Sequence, residues 1–171
     1  MSKAPNSETR SNLWSTSVNG VSGRLRLELE DLNPGLRFAV HMETLNRSFD
    51  SITITNQPAI RAELVDDSGT EIQTVAYPAS GPIPPPQWAV VPHDAYVGFR
   101  IDMQTVGVPS KEQRMVLLAV GGITWRLSTG RYLLKTTAIF KNDVDGPANQ
   151  WVGELELPTV EVVVTDEMFS E

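Results

Sequence analysis

In Arg24-Leu25-Arg26-Leu27-Glu28-Leu29-Glu30 every second residue is leucine and every other one is charged. Side chains alternate across a β-strand with period two, so a strand here separates the leucines onto one face and the charges onto the other. A helix would scatter both sets around its circumference. The leucine face then needs a second layer to cover it. The same alternation returns in Leu36, Phe38, Val40 and Met42 against Arg37, Ala39, His41 and Glu43, and in Ile52 and Ile54 against Thr53 and Thr55. Helical periodicity is nearly absent from the chain.

Further strands follow from the same pattern. Ile60–Val65 and Thr70–Val75 flank Asp66-Asp67-Ser68-Gly69 and are expected to form a hairpin, with Gly69 free to take a positive φ. Trp88–Val91 is a short strand, and Val97, Phe99, Ile101 and Met103 mark another. Met115–Val120 is apolar at every position and predicts a strand covered on both faces. Gly121-Gly122 turns the chain into Ile123–Leu127. Arg131–Phe140, Trp151–Leu157 and Val160–Val164 complete the set.

Glycine and proline fall between these runs, where turns need them. The segment Pro78–Pro86 holds five prolines and one glycine, cannot donate to a sheet ladder, and reads as an extended loop of polyproline character. Asn142–Asn149 is a loop rich in Asp, Asn, Gly and Pro. Short strands at this spacing indicate a sandwich or barrel. A length of 171 residues suits one domain. Its expected limits are 13–165, behind a flexible arm at 1–12 and ahead of a short acidic tail at 166–171.

Charge narrows the partners. The net charge is −7, yet residues 1–141 carry fourteen basic and thirteen acidic side chains. The last thirty residues carry eight acids and neither Lys nor Arg. Without a cluster of Lys and Arg, nucleic acid is not an expected partner. No apolar run is long enough to insert into a membrane as a helix. The polar start MSKAPNSETRSN holds no apolar leader segment. The chain is expected to be cytoplasmic, or extracytoplasmic if a leader has been removed. With no cysteine and two histidines, disulfides, thiolate metal sites and most general-base schemes fall away, and no cofactor is expected.

Two stretches carry a resemblance. Leu127-Ser128-Thr129-Gly130-Arg131-Tyr132 looks like a tyrosine corner, where a tyrosine hydroxyl bonds back to the backbone at a Greek-key crossing. Together with Trp151-x-Gly153-x-Leu155 it is similar to the end of bacterial immunoglobulin-like modules. Trp14, Val18-Asn19-Gly20-Val21 and Asn46-Arg47-Ser48 resemble their opening, with Ser15 where the pattern has glycine. Such modules are associated with planctomycete-type bacteria as extracytoplasmic or multidomain accessory units. The resemblance implies an all-β, immunoglobulin-like Greek-key sandwich of two antiparallel sheets with about 8–11 strands. Its motif residues are fold residues and bring no catalytic role.

Few constellations could carry chemistry. His93-Asp94 is the only adjacent histidine–acid pair, and no nucleophile elbow or HExxH motif accompanies it. Asn142-Asp143-Val144-Asp145-Gly146 fails the EF-hand pattern, because Lys141 and Val152 occupy its first and last positions. A looser metal site on Asp143 and Asp145 is the remaining possibility. Asn46-Arg47-Ser48 matches the N-glycosylation acceptor pattern, a tripeptide permissive enough to arise by chance. The expected function is a non-enzymatic protein-interaction or structural module of a bacterium, with its partner and oligomeric state open. Loops at one end, around Pro84, Pro85, Pro86 and Trp88 and around Asn142–Asn149, would recognise that partner. Carbohydrate stacking on Trp88 and Tyr96 is a second expectation. Insertion of the Pro78–Pro86 loop into a protease cleft is a third.

Overall fold

The computed structural model describes residues 8–10, 13–76, 82–102 and 107–170. Among them are twelve strands, two short 3-10 turns and no α-helix. The strands are β1 (Glu8–Arg10), β2 (Val21–Asp31), β3 (Leu36–Asn46), β4 (Ile52–Thr55), β5 (Ala59–Asp66) and β6 (Trp88–Val91). They continue with β7 (Tyr96–Arg100), β8 (Val116–Val120), β9 (Ile123–Leu127), β10 (Gly130–Phe140), β11 (Gly153–Glu156) and β12 (Val160–Val164).

The leucine-and-charge segment lies in β2, which pairs with β3 over eleven residues from Val21↔Asn46 to Asp31↔Leu36. Leu25, Leu27, Phe38, Val40 and Met42 are buried on the inner face. Each such side chain stabilises the fold by about 2 kcal/mol. One six-stranded sheet runs β1-β2-β3-β8-β9, with β7 also on β3. The second sheet is built on β10: β5 pairs along one side of it, while β12 and β11 share the other. Tyr132, Leu134, Ala138 and Phe140 of β10 join Leu155, Val160 and Val162 in one core with the residues of the first sheet. A two-stranded β4–β6 sheet completes the architecture.

Three sequence expectations change. The fold has three hydrogen-bonded sheets and twelve strands in place of two sheets and 8–11 strands. The six-stranded sheet is mixed, because β8 runs parallel to β3 through Leu36↔Val116 and Phe38↔Leu118. Four intervening strands return the chain to the start of β3 and make this direction possible. The expected second hairpin arm at Thr70–Val75 is not a strand. Its Ile72 N–H donates to Leu64, its Val75 N–H donates to Thr124, and Trp125 Nε1 donates to the Ile72 carbonyl, so this segment laces β5 to β9. At the ends of the chain, Glu8–Arg10 pairs with β2, and Asp166–Phe169 forms a 3-10 turn that buries Phe169 in the core. The tail is acidic by composition, yet Phe169 and Met168 hold it against the body.

The doubly apolar run behaves as expected, with all five residues of β8 buried. Met103 and residues 77–81, which include Pro78, lie outside the described residues.

Candidate recognition site

The opening residues of the resemblance and Trp151 assemble at one end of the molecule. Asn19 and Gly20, at φ 48° and 81°, form a two-residue turn closed by reciprocal Val18–Val21 hydrogen bonds. A Cβ at Gly20 would lie 2.7 Å from Ser48, so only glycine fits. The Arg47 N–H donates to the Gly20 carbonyl, and Trp151 Nε1 donates to the Asn19 carbonyl. Asn46 is fully buried. Its Nδ2 donates to the carbonyls of Asp50 and Val91, and its Oδ1 accepts from the N–H and hydroxyl of Ser48. This amide closes the ends of three strands, and the folded chain exposes no glycosylation acceptor there. At the opposite end, near the start of β10, Tyr132 donates from its hydroxyl to the Ser128 carbonyl at 2.8 Å, which is the bond expected of a tyrosine corner.

Two loops meet beside this end. A Cβ at Gly146 would sit 2.7 Å from the Trp88 ring, so glycine lets the 142–149 loop close on the tryptophan. Pro86, Trp88, Lys141 and Asp143, with Thr55 and Gln57, line a depression of about 260 Å³. Both loops are pinned by amide side chains. Gln57 Nε2 donates to the Pro84 carbonyl, and Asn56 Oδ1 accepts the Gln87 N–H. Gln150 donates through Nε2 to the carbonyls of Asp143 and Pro147 and accepts the Asp143 N–H. Residues 82–87, including Pro85, are exposed. Ile83 is 80% exposed and Val144 is 89% exposed, so the pinned loops hold apolar side chains out in water.

A larger depression of about 430 Å³ lies on the second sheet. Arg61, Glu63, Lys135 and Glu156 line it with alternating charges, and no aromatic side chain takes part. That is the ordinary composition of a solvated sheet face, so its size does not make it a site.

Trp88 and Tyr96 do not form one platform. Trp88 lines the loop depression, whereas Tyr96 stands edge-on to Trp14 at 6.1 Å on another part of the molecule. Trp14 in turn lies 4.0 Å above the Arg24 guanidinium. Arg24 and Arg26 pair with Glu43, a carboxylate only 3% exposed although it belongs to the charged face of β3. Next to it, Arg26 and Arg100 flank His41 across the sheet, and their charges add to burial in pushing the imidazole pKa down. Glu30 accepts from Arg37 and Arg100. Burial alone would raise its pKa, and those two partners bring it below the usual range.

The remaining candidates are occupied locally. His93 Nδ1 lies 2.6 Å from the Ser48 carbonyl and its Nε2 lies 3.1 Å from Asp94, while Phe49 stacks on the ring at 5.6 Å. Asp143 Oδ1 accepts the Asp145 N–H in a local turn. Among the described residues no group of three or more acids or histidines is placed to hold a metal ion. Asn46 shows in the sequence only through the Asn46-Arg47-Ser48 motif, and Gln150, which pins the 142–149 loop, carries no periodic or spacing signal. Comparison with family models, curated proteins and solved structures gives no match.

Proposed function

We propose that this chain is a non-enzymatic, immunoglobulin-like Greek-key module of bacterial origin that binds a protein partner through the Pro82–Trp88 and Asn142–Asn149 loops. The observation that carries the reading is the pairing of loop rigidity with apolar exposure. Ile83 and Val144 stand in water on loops whose carbonyls are held by Gln57 and Gln150. Ordered loops bind at a smaller entropic cost, and apolar side chains held outward are candidate anchors. The Tyr132–Ser128 bond, and the way β10 exchanges β12 for β11 along one side, support the Greek-key assignment.

The test is capture by in-cell crosslinking in a bacterial host. A specific partner should be retained by the unmodified chain and by Leu133→Asp toward the far end of β10, and lost with Ile83→Asp and Val144→Asp. Equal capture by all four proteins contradicts the reading.

Trp88 favours one alternative. Its half-buried ring beside Thr55, Gln57 and Asp143 offers an aromatic floor with polar rims, an arrangement suited to a single sugar ring. Tyr96 has no part in that version. Glycan binding lost on Trp88→Ala but kept by Val144→Asp would select it. Protease inhibition by the proline-rich loop is the weaker alternative, because the Gln57–Pro84 bond ties that loop to the body. Slow-binding inhibition in a protease panel would revive it.

A further inference from the structure

The sheet edges differ in how they are closed. β2 is covered by β1 and by Ser15, whose N–H donates to Gly23. The free side of β9 receives the Val75 N–H, and that of β5 receives the Ile72 N–H. The edges of the β10 sheet carry Glu154, Glu156 and Glu161, within the acidic part of the chain. Each arrangement discourages another strand from adding.

β7 lacks these devices. Among the described residues it pairs only with β3, in a register that sets Met42 against Phe99 and Leu45 against Tyr96. The Asn46 N–H donates to Ala95, and the Ile101 N–H donates to Val40. By the alternation of an antiparallel ladder, Ala95, Val97, Phe99 and Ile101 therefore turn their backbone groups toward β3. Tyr96, Gly98 and Arg100 turn theirs outward, and among the described residues no backbone group pairs with them. All three are exposed, and Val97 and Phe99 between them are only half-buried. The strand contains no proline, no lysine and no inward charge.

We propose that a second copy of this chain docks here, with β7 pairing antiparallel to β7 about a twofold axis at Gly98. The sequence Tyr96-Val97-Gly98-Phe99-Arg100 is self-complementary about that point. Tyr96 faces the partner's Arg100, a cation–aromatic pair, and Val97 faces the partner's Phe99. The residues brought into register are those whose donors and acceptors point outward, and two glycines meet at the axis. Charge does not oppose the approach, because Asp102 and Glu30 neutralise Arg100 and the excess acid lies in residues 142–171, away from β7 in sequence. The product is a continuous twelve-stranded sheet across two protomers. The contact is small, so the dimer is weak, with a Kd on the order of 10–100 µM.

Sedimentation velocity over a concentration series tests this. The unmodified chain should shift from monomer to dimer across that range. Gly98→Pro removes an outward N–H that the fold does not use, so it should stay monomeric with an unchanged circular dichroism spectrum and melting temperature. Tyr96→Ala removes the ring that faces the partner's Arg100 and should weaken the dimer by about threefold to tenfold, whereas Tyr96→Phe keeps the ring and should not weaken it. Because the chain has no cysteine, Gly98→Cys supplies a single thiol at the axis, within the reach of a disulfide. It should oxidise to a covalent dimer, while Ser68→Cys in the exposed β5 turn should not. A chain that stays monomeric at millimolar concentration overturns the proposal, even if it binds an extended peptide of another protein. So does a dimer that Gly98→Pro leaves intact.

Discussion

The two ends of the molecule are closed by different chemistry. Where β3 finishes, neutral amides do the closing: Asn46 inside, with Gln150, Gln57 and Asn56 beneath the loops. At the opposite end charges do it. Lys111 reaches Asp31 at 2.6 Å, Arg114 reaches Asp166 at 2.5 Å, and the Thr129 hydroxyl also donates to Asp166. The apolar side chains respond in opposite ways. The charged end draws Phe169 inward beneath Arg114, while the amide end leaves Phe49, Val144 and Ile83 in solvent. An amide can fill a turn completely without needing a counter-charge, so it frees a loop's side chains to face outward. One end seals the core, and the other displays a surface.

The comparison breaks most severely at Asn46. Asn46→Ala leaves the buried Val91 carbonyl, the part-buried Asp50 carbonyl and the Ser48 N–H without their partner, so urea unfolding should show a loss of about 2–3 kcal/mol. A loss below about 1 kcal/mol would mean that water replaces the amide. Gln150→Ala should cost about 1–2 kcal/mol and should release the 142–149 loop, which faster amide exchange there would reveal. The charged end sharpens the contrast through pH. The Lys111 hydrogen bond, aided by the Asn33 N–H, holds the Asp31 carboxyl below the ordinary aspartate range. The Thr129 hydroxyl and then Arg114 do the same for Asp166. Both contributions are present above the unfolded aspartate pKa of about 4 and are lost as the pH falls through the lower folded values. Acidification below about pH 4 should therefore raise amide exchange first around 111–114 and 166–169, with 142–149 following later. Val144→Asp should change stability least, within about 0.5 kcal/mol, because a side chain 89% exposed has almost no contacts to lose.

Much of the fold was legible because a strand with one buried face writes a period of two, as in β2, and a strand with two buried faces writes none, as in β8. The failures come where contacts are long-range. Thr70–Val75 alternates like a strand, yet its backbone is divided between Leu64 and Thr124. Glu43 sits in a charged pattern but is buried, because Trp14 roofs its partner Arg24. Trp88 and Tyr96 are close in sequence, but they bracket β6 and the 92–95 turn and so end at separate places. The convergence of the two loops at the depression was half readable: each loop showed in its Pro, Gly and Asp content, whereas their meeting depends on Gly146 lying under Trp88. Gln150 gave no signal, since one glutamine in a polar loop looks like any other.

The central claim is that the loops displaying Ile83 and Val144 are rigid before any partner arrives. Backbone ¹⁵N relaxation of the free protein measures this directly. Order parameters of about 0.8 or above across 142–149 and at Ile83 and Gln87, matching β10, are the predicted result. Values below about 0.6 in those loops, with β10 rigid, would contradict it.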